Sequence, residues 1–183
     1  MSLSLVGLDP GFASLGYVVL VLDPRPRVHR FGVMQTSPSA KKHKVLSVED
    51  NVRRTMLISR FLRELATCSS RTVALCAEAM SFPRSSSVAA KMALTWGAIA
   101  SLSEASGIPI LQATPQQAKQ GVCGIKTATK EEVQSAVAKL YPEIVAMRGD
   151  IARGAWEHPH DALAVAHVML KSDVVQMLRL AER

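Results

Sequence analysis

Short apolar runs alternate along this chain with stretches whose apolar residues recur at helical spacing. Leu5-Val6-Gly7-Leu8 ends in Asp9, Pro10-Gly11 makes a turn, and a β-branched run from Leu15 to Leu20 follows. That order predicts strand, tight turn, strand, with Asp9 at the end of the first strand. A strand apolar on both faces belongs in the middle of a sheet. A third strand is expected over Arg27–Met34, reached through Asp23-Pro24-Arg25-Pro26, and an exposed basic loop over 35–47. Leu57, Ile58, Phe61, Leu62 and Leu65 predict a helix over Asn51–Ala66.

Thr72–Glu78 is a short strand that again ends in an acid. Ser85 to Ser87 can cap a helix running to about Ser106, which Gly107 stops; its many small residues imply close packing against it. Ile108–Leu111 is a fifth strand, and Thr114-Pro115 and Thr129 each start a helix. An irregular connection covers 142–157, and a last helix is expected from His158 to about Leu180, with Asp161 in its first turn. Three strands in hairpin order, then alternating helices and strands, predict an α/β fold: a mixed sheet flanked by helices.

At 183 residues, 48% hydrophobic and 20% charged, the chain has the size and composition of one domain spanning 1–183. No apolar run reaches the roughly 18 residues of a membrane span, and no signal peptide is recognisable. Cys68, Cys76 and Cys123 lack metal-binding spacing and suit buried thiols in a reducing, intracellular setting. The net charge of +7 is concentrated: residues 23–71 hold eleven Lys/Arg against four acids, and the remainder is balanced. A solvated basic face would explain this, and so would a polyanionic partner such as nucleic acid.

Asp9 and Glu78 end strands, and His158 and Asp161 share a face at a helix start. Buried carboxylates need partners, and oxygen-rich clusters suit Mg²⁺ or Mn²⁺. Two such ions can activate water and stabilise the leaving oxygen in phosphodiester cleavage. Each residue also has a plainer explanation: Asp9 as a turn former, His158 as a helix cap, Asp161 as a partner of the helix dipole.

Gly7-Leu8-Asp9-Pro10-Gly11 with Gly16-Tyr17, Glu78, and His158-x-x-Asp161-Ala162-Leu163-Ala164 together resemble the RuvC-type Holliday-junction resolvases of the ribonuclease H-like fold. The resemblance runs over essentially the whole chain. It includes Lys91 and Gly97 after Glu78, and the segment from Gln117 through Lys119 and Gly124-Ile125 to Lys130.

The resemblance implies a five-stranded sheet, three strands antiparallel and two parallel. It implies a homodimeric endonuclease that recognises four-way junction DNA by shape, assisted by a branch-migration helicase. Paired symmetric nicks would leave 5′-phosphate and 3′-hydroxyl ends. Asp9, Glu78, His158 and Asp161 would bind two Mg²⁺ per site, with Mn²⁺ able to substitute, and Lys130 would complete the catalytic set. Lys119 and Lys130 would contact the DNA backbone, with Lys91, Lys126 and the loop lysines Lys41, Lys42 and Lys44 adding to the DNA surface. The family's aromatic wedge position holds Ser81 here, so Phe82 takes that expectation. Localisation would be the cytoplasm or nucleoid in a bacterium, or the organellar matrix in a eukaryote. The alternative function is a nuclease of the same fold acting on RNA or other branched DNA. A nucleotide-binding ATPase with a similar Asp-x-Gly strand turn would need two such domains, and a DNA-binding module without activity has no use for the acidic set.

Overall fold

The computed structural model describes residues 2–39, 45–68, 71–80 and 85–181. Strands β1 (Leu3–Asp9), β2 (Ser14–Val21) and β3 (Arg27–Gln35) lead to helix α1 (Ser47–Thr67). Then come β4 (Arg71–Glu78), α2 (Ser86–Ser106), β5 (Ile110–Ala113), α3 (Pro115–Cys123) and α4 (Lys130–Leu140). The one-turn α5 (Ile144–Met147), two 3₁₀ turns, α6 (Glu157–Met169) and α7 (Asp173–Ala181) complete the order.

The five strands form one sheet in the order β3-β2-β1-β4-β5. β1–β2 and β2–β3 pair antiparallel, while β1–β4 and β4–β5 pair parallel. β1 is central and buried on both faces until Asp9. By the two-residue period of a strand, Leu3 and Leu5 face one side and Val6 and Leu8 the other. The first side packs on α6, which is buried almost all round (Ala162, Leu163, Ala164, Val165, Ala166). The second packs on α1 and α2 through Ile58, Leu62, Leu65, Ala98 and Ile99.

Turn and cap chemistry sets several boundaries. Thr114 and Thr129 each close a capping box, with Gln117 and Glu132 respectively. Gly107 ends α2 at φ 69°, where a side chain would be strained. Several expectations need correction. Ser85 precedes α2 but makes no capping hydrogen bond through its side chain. β5 lies two residues later than expected, because its pairing begins at Ile110 opposite Leu75. The last helix is two helices: the chain turns after Met169, where Ser172 Oγ donates to the Met169 carbonyl (2.7 Å). Asp161 is the fifth residue of α6, not a first-turn residue, because the helix begins at Glu157. Cys76 is buried and Cys123 half-buried, but Cys68 is exposed. Ala90, Ala93, Gly97 and Ala100 on α2 are exposed, so among the described residues nothing packs on that small-residue stripe. Among the described residues, no helix is long and apolar enough to cross a membrane.

Candidate active site

β1 and β4 run side by side in the same direction, with Leu8 opposite Ala77. One residue further, both strands end in an acid, and strand alternation puts Asp9 and Glu78 on the face that α6 covers. The approach of α6 depends on missing side chains. A Cβ on Gly7 would lie 2.4 Å from the Ala162 carbonyl oxygen, and one on Gly16 would lie 2.2 Å from that of His158. Bare backbone at these two positions lets the start of α6 rest on β1 and β2. His158 Nδ1 and Asp9 Oδ2 are 2.7 Å apart.

Burial and neighbouring charge raise two of the carboxyl groups. Burial, then the charges of Asp9 and Asp161, push Glu78 up to about 7, and the nearby Lys119 ammonium opposes this. Burial, then Asp9 and Glu157, push Asp161 up to about 6, against the pull of Lys130 and His158. The hydrogen bond to Asp9 is the main cause that raises His158, outweighing burial. A site that keeps protons on carboxyl groups near neutral pH has more negative charge than its surroundings stabilise, so it favours a cation in their place. The donor set, three carboxylates and an imidazole, fits a hard divalent ion. Among the described residues no three His, Cys, Asp or Glu groups form a closed ion-binding cluster, and His158 is turned onto Asp9 instead.

Lys130, first residue of α4, forms an ion pair with Glu157 at the start of α6 and is otherwise exposed. That pairing raises Lys130 and lowers Glu157. Lys119 is half-buried on α3 on the Glu78 side. Lys126 lies exposed in the α3–α4 connection, and Lys91 is half-buried on α2, which covers the other face. Phe82, Lys41, Lys42 and Lys44 lie outside the described residues.

Two features were not read from sequence. Glu157 is four residues before Asp161, and that helical spacing alone would have put it on the same face. His160 is fully buried: burial drives its imidazole down to about 4, so it is neutral. Its Nδ1 bonds to the Trp156 carbonyl, and Arg148 Nε donates to its Nε2 (3.2 Å). Those bonds pin the first turn of α6 next to His158.

A family model for the crossover junction endodeoxyribonuclease RuvC matches residues 5–169. The chain is 33% identical over 162 residues to the crossover junction endodeoxyribonuclease RuvC of Thermomicrobium roseum, with 88% of each protein covered. It is 32% identical over 138 residues to that of Natranaerobius thermophilus, covering 74% of this chain and 79% of that protein. Among solved structures, T. thermophilus RuvC in complex with Holliday junction substrate shares the fold, with a TM-score of 0.69 over 96% of each chain at 23% identity. The matched span runs from within β1 to the last residue of α6, and so across every described element that carries a candidate site residue. The chain belongs to the crossover junction endodeoxyribonuclease RuvC family.

Proposed function

We propose that this chain is a structure-selective DNA endonuclease that resolves four-way junctions by paired symmetric nicks, leaving 5′-phosphate and 3′-hydroxyl ends. The whole chain acts as one nuclease domain. The observation that carries the reading is the gathering of three carboxylates, Asp9, Glu78 and Asp161, at one end of the sheet, two of them (Glu78 and Asp161) pushed up by burial and by Asp9, with Lys119 and Lys130 beside them. Asp9, Glu78, Asp161 and His158 would hold two Mg²⁺ ions, and Mn²⁺ would substitute for them. When bound, such ions make water a nucleophile near neutral pH and stabilise the departing 3′-oxygen. The chain's own groups position the strand. Lys119 and Lys130 supply ammonium donors that follow the moving phosphate, a role suited to a flexible point charge. Glu157 holds Lys130 close to the carboxylates before DNA arrives.

The chain acts as a homodimer, since two opposed strands are cut, and the exposed small-residue stripe on α2 suits close approach of a second copy. A branch-migration helicase delivers the junction. The setting is intracellular, cytoplasm or nucleoid or an organellar matrix, where thiols stay free.

The test is incubation with a synthetic four-way junction, linear duplex of the same sequence, and an RNA–DNA hybrid, each with Mg²⁺. Symmetric, ligatable nicks in the junction are expected, with the other two substrates intact. Cutting the hybrid or the linear duplex at a comparable rate would replace the reading with that of a nuclease acting on RNA or other DNA.

A further inference from the structure

β1, β3 and β4 point the same way, because β3 is antiparallel to β2 and β2 to β1. α1 follows β3 and α2 follows β4, so both helices begin at the end of the sheet where Asp9 and Glu78 lie. They pack on the opposite face from α6. Between their first turns is a cleft of about 340 Å³, whose walls include Ser47, Asp50, Asn51, Arg54, Ser87 and Lys91.

The charge in this cleft is unbalanced. Arg54 is only 5% exposed, stacked 4.3 Å from the Phe12 ring centroid, and tied to Thr36 through Nε (2.9 Å to the hydroxyl) and Nη2 (3.1 Å to the carbonyl). Its hydrogen-bond partner, Thr36, is neutral, and Asp50 acts on it only through space, against the opposing charge of Arg53. The carboxylate of Asp50 is engaged elsewhere: its Oδ1 accepts from Arg53 Nη2 (2.8 Å) and from the Ser39 hydroxyl (2.7 Å). Among the described residues, no ion pair holds the Lys91 ammonium. Arg54 and Lys91 therefore share a polar cleft with hydroxyl and amide donors, and the carboxylate in its wall, Asp50, is already paired with Arg53. Neither α1 nor α2 has a side-chain cap; Glu49 and Asp50 offset the first turn of α1, whereas α2 has no acid there, so its leading N–H groups add positive potential beside Lys91.

We propose that this cleft binds a second backbone phosphate of the DNA, away from the scissile one. A duplex laid across the end of the sheet then meets the protein twice, at the carboxylate site on the α6 face and at Arg54 and Lys91 on the α1–α2 face. The inference rests on the junction-resolvase reading for its ligand. Its test reads binding in the absence of divalent metal, so it does not depend on nicking.

The measurement is junction affinity against salt concentration for the parent, Lys91→Gln and Lys171→Gln, followed by affinity for junctions carrying single neutral methylphosphonate linkages. Lys171 is exposed beyond the far end of α6 and controls for loss of one charge. One lost phosphate contact reduces the slope of log K against log salt by about 0.9, so Lys91→Gln should show that change and Lys171→Gln should not. One linkage away from the cut should weaken the parent when neutralised and leave Lys91→Gln unaffected. Ser87→Asp supplies a second variant. An acid in the first turn of α2 favours the helix, so thermal stability should hold or rise while binding falls. Equal slopes for Lys91→Gln and Lys171→Gln, no linkage that distinguishes parent from Lys91→Gln, or unchanged binding by Ser87→Asp would each overturn the assignment. Absence of nicking with Mg²⁺ would instead count against the resolvase reading.

Discussion

α6 and the α1–α2 pair cover opposite faces of one sheet and hold it differently. α6 rests on backbone: Gly7 and Gly16 leave no room for even a methyl group between strand and helix. α1 and α2 rest on side chains, with Ile58, Leu62, Leu65 and Ile99 filling the space. A contact made by side chains can adjust when one is trimmed, because its neighbours repack at a cost in stability. A backbone contact has nothing to trim, so a change there moves the helix. The proposed chemistry belongs to the rigid face. Asp161 and His158 ride on α6, and their relation to Asp9 and Glu78 is only as accurate as that helix's seat.

The strongest challenge to this contrast is to remove the chemistry without moving anything. Asp9→Asn, Glu78→Gln or Asp161→Asn should each lower single-turnover nicking beyond detection while keeping junction binding equal or tighter, since less negative charge faces the phosphates. Near-parental nicking by Asp161→Asn would detach α6 from the active site. Next comes Lys130→Ala, expected to lower turnover at saturating enzyme by ~10²–10³, the cost of one electrostatic donor. Junction affinity, measured by titration, should change little.

Gly16→Ala tests the seat itself. A displacement of about 1 Å of α6 should lower nicking by ~10², with folding retained as judged by circular dichroism. On the other face, Ile58→Ala should cost about 2–5 kcal/mol in denaturant unfolding, yet nicking by the folded fraction should stay close to parental. If Ile58→Ala impaired nicking as much as Gly16→Ala did, the two faces would not differ in the way described.

The smallest effect concerns pH. Glu78, raised from 4.5 to about 7, holds a proton in the folded protein that the unfolded chain gives up within that window. Its contribution to metal-free stability is therefore intact below about pH 4.5 and falls as pH rises to 7. Glu78→Gln lacks this fall, so its melting temperature relative to the parent should rise between those pH values and level off above. Mg²⁺ at pH 8 should raise the parent's melting temperature more than that of Glu78→Gln. Parallel melting curves across this range would mean that Glu78 is less perturbed than its surroundings imply.

Much of this was legible in the chain itself. Local rules carry far where one residue suffices: Thr114 and Thr129 announced their helices, Gly107 its helix end, and Asp9 and Glu78 their strand ends. Motif and spacing singled out Asp9, Glu78, His158 and Asp161 as candidates. Sequence did not show that Gly7 and Gly16 seat α6, since a glycine's neighbours across a sheet are more than a hundred residues away in the chain. It did not show that His160 is buried and held by Arg148 and the Trp156 carbonyl. It did not divide α6 from α7, because helical periodicity continues through a turn that local hydrogen bonds break. Nor did it bring Arg54 and Lys91 to one cleft. Periodicity and capping are properties of neighbours in sequence, so the chain determines them directly. Proximity between the faces and ends of elements is decided only when the sheet order puts α1, α2 and α6 at the same end.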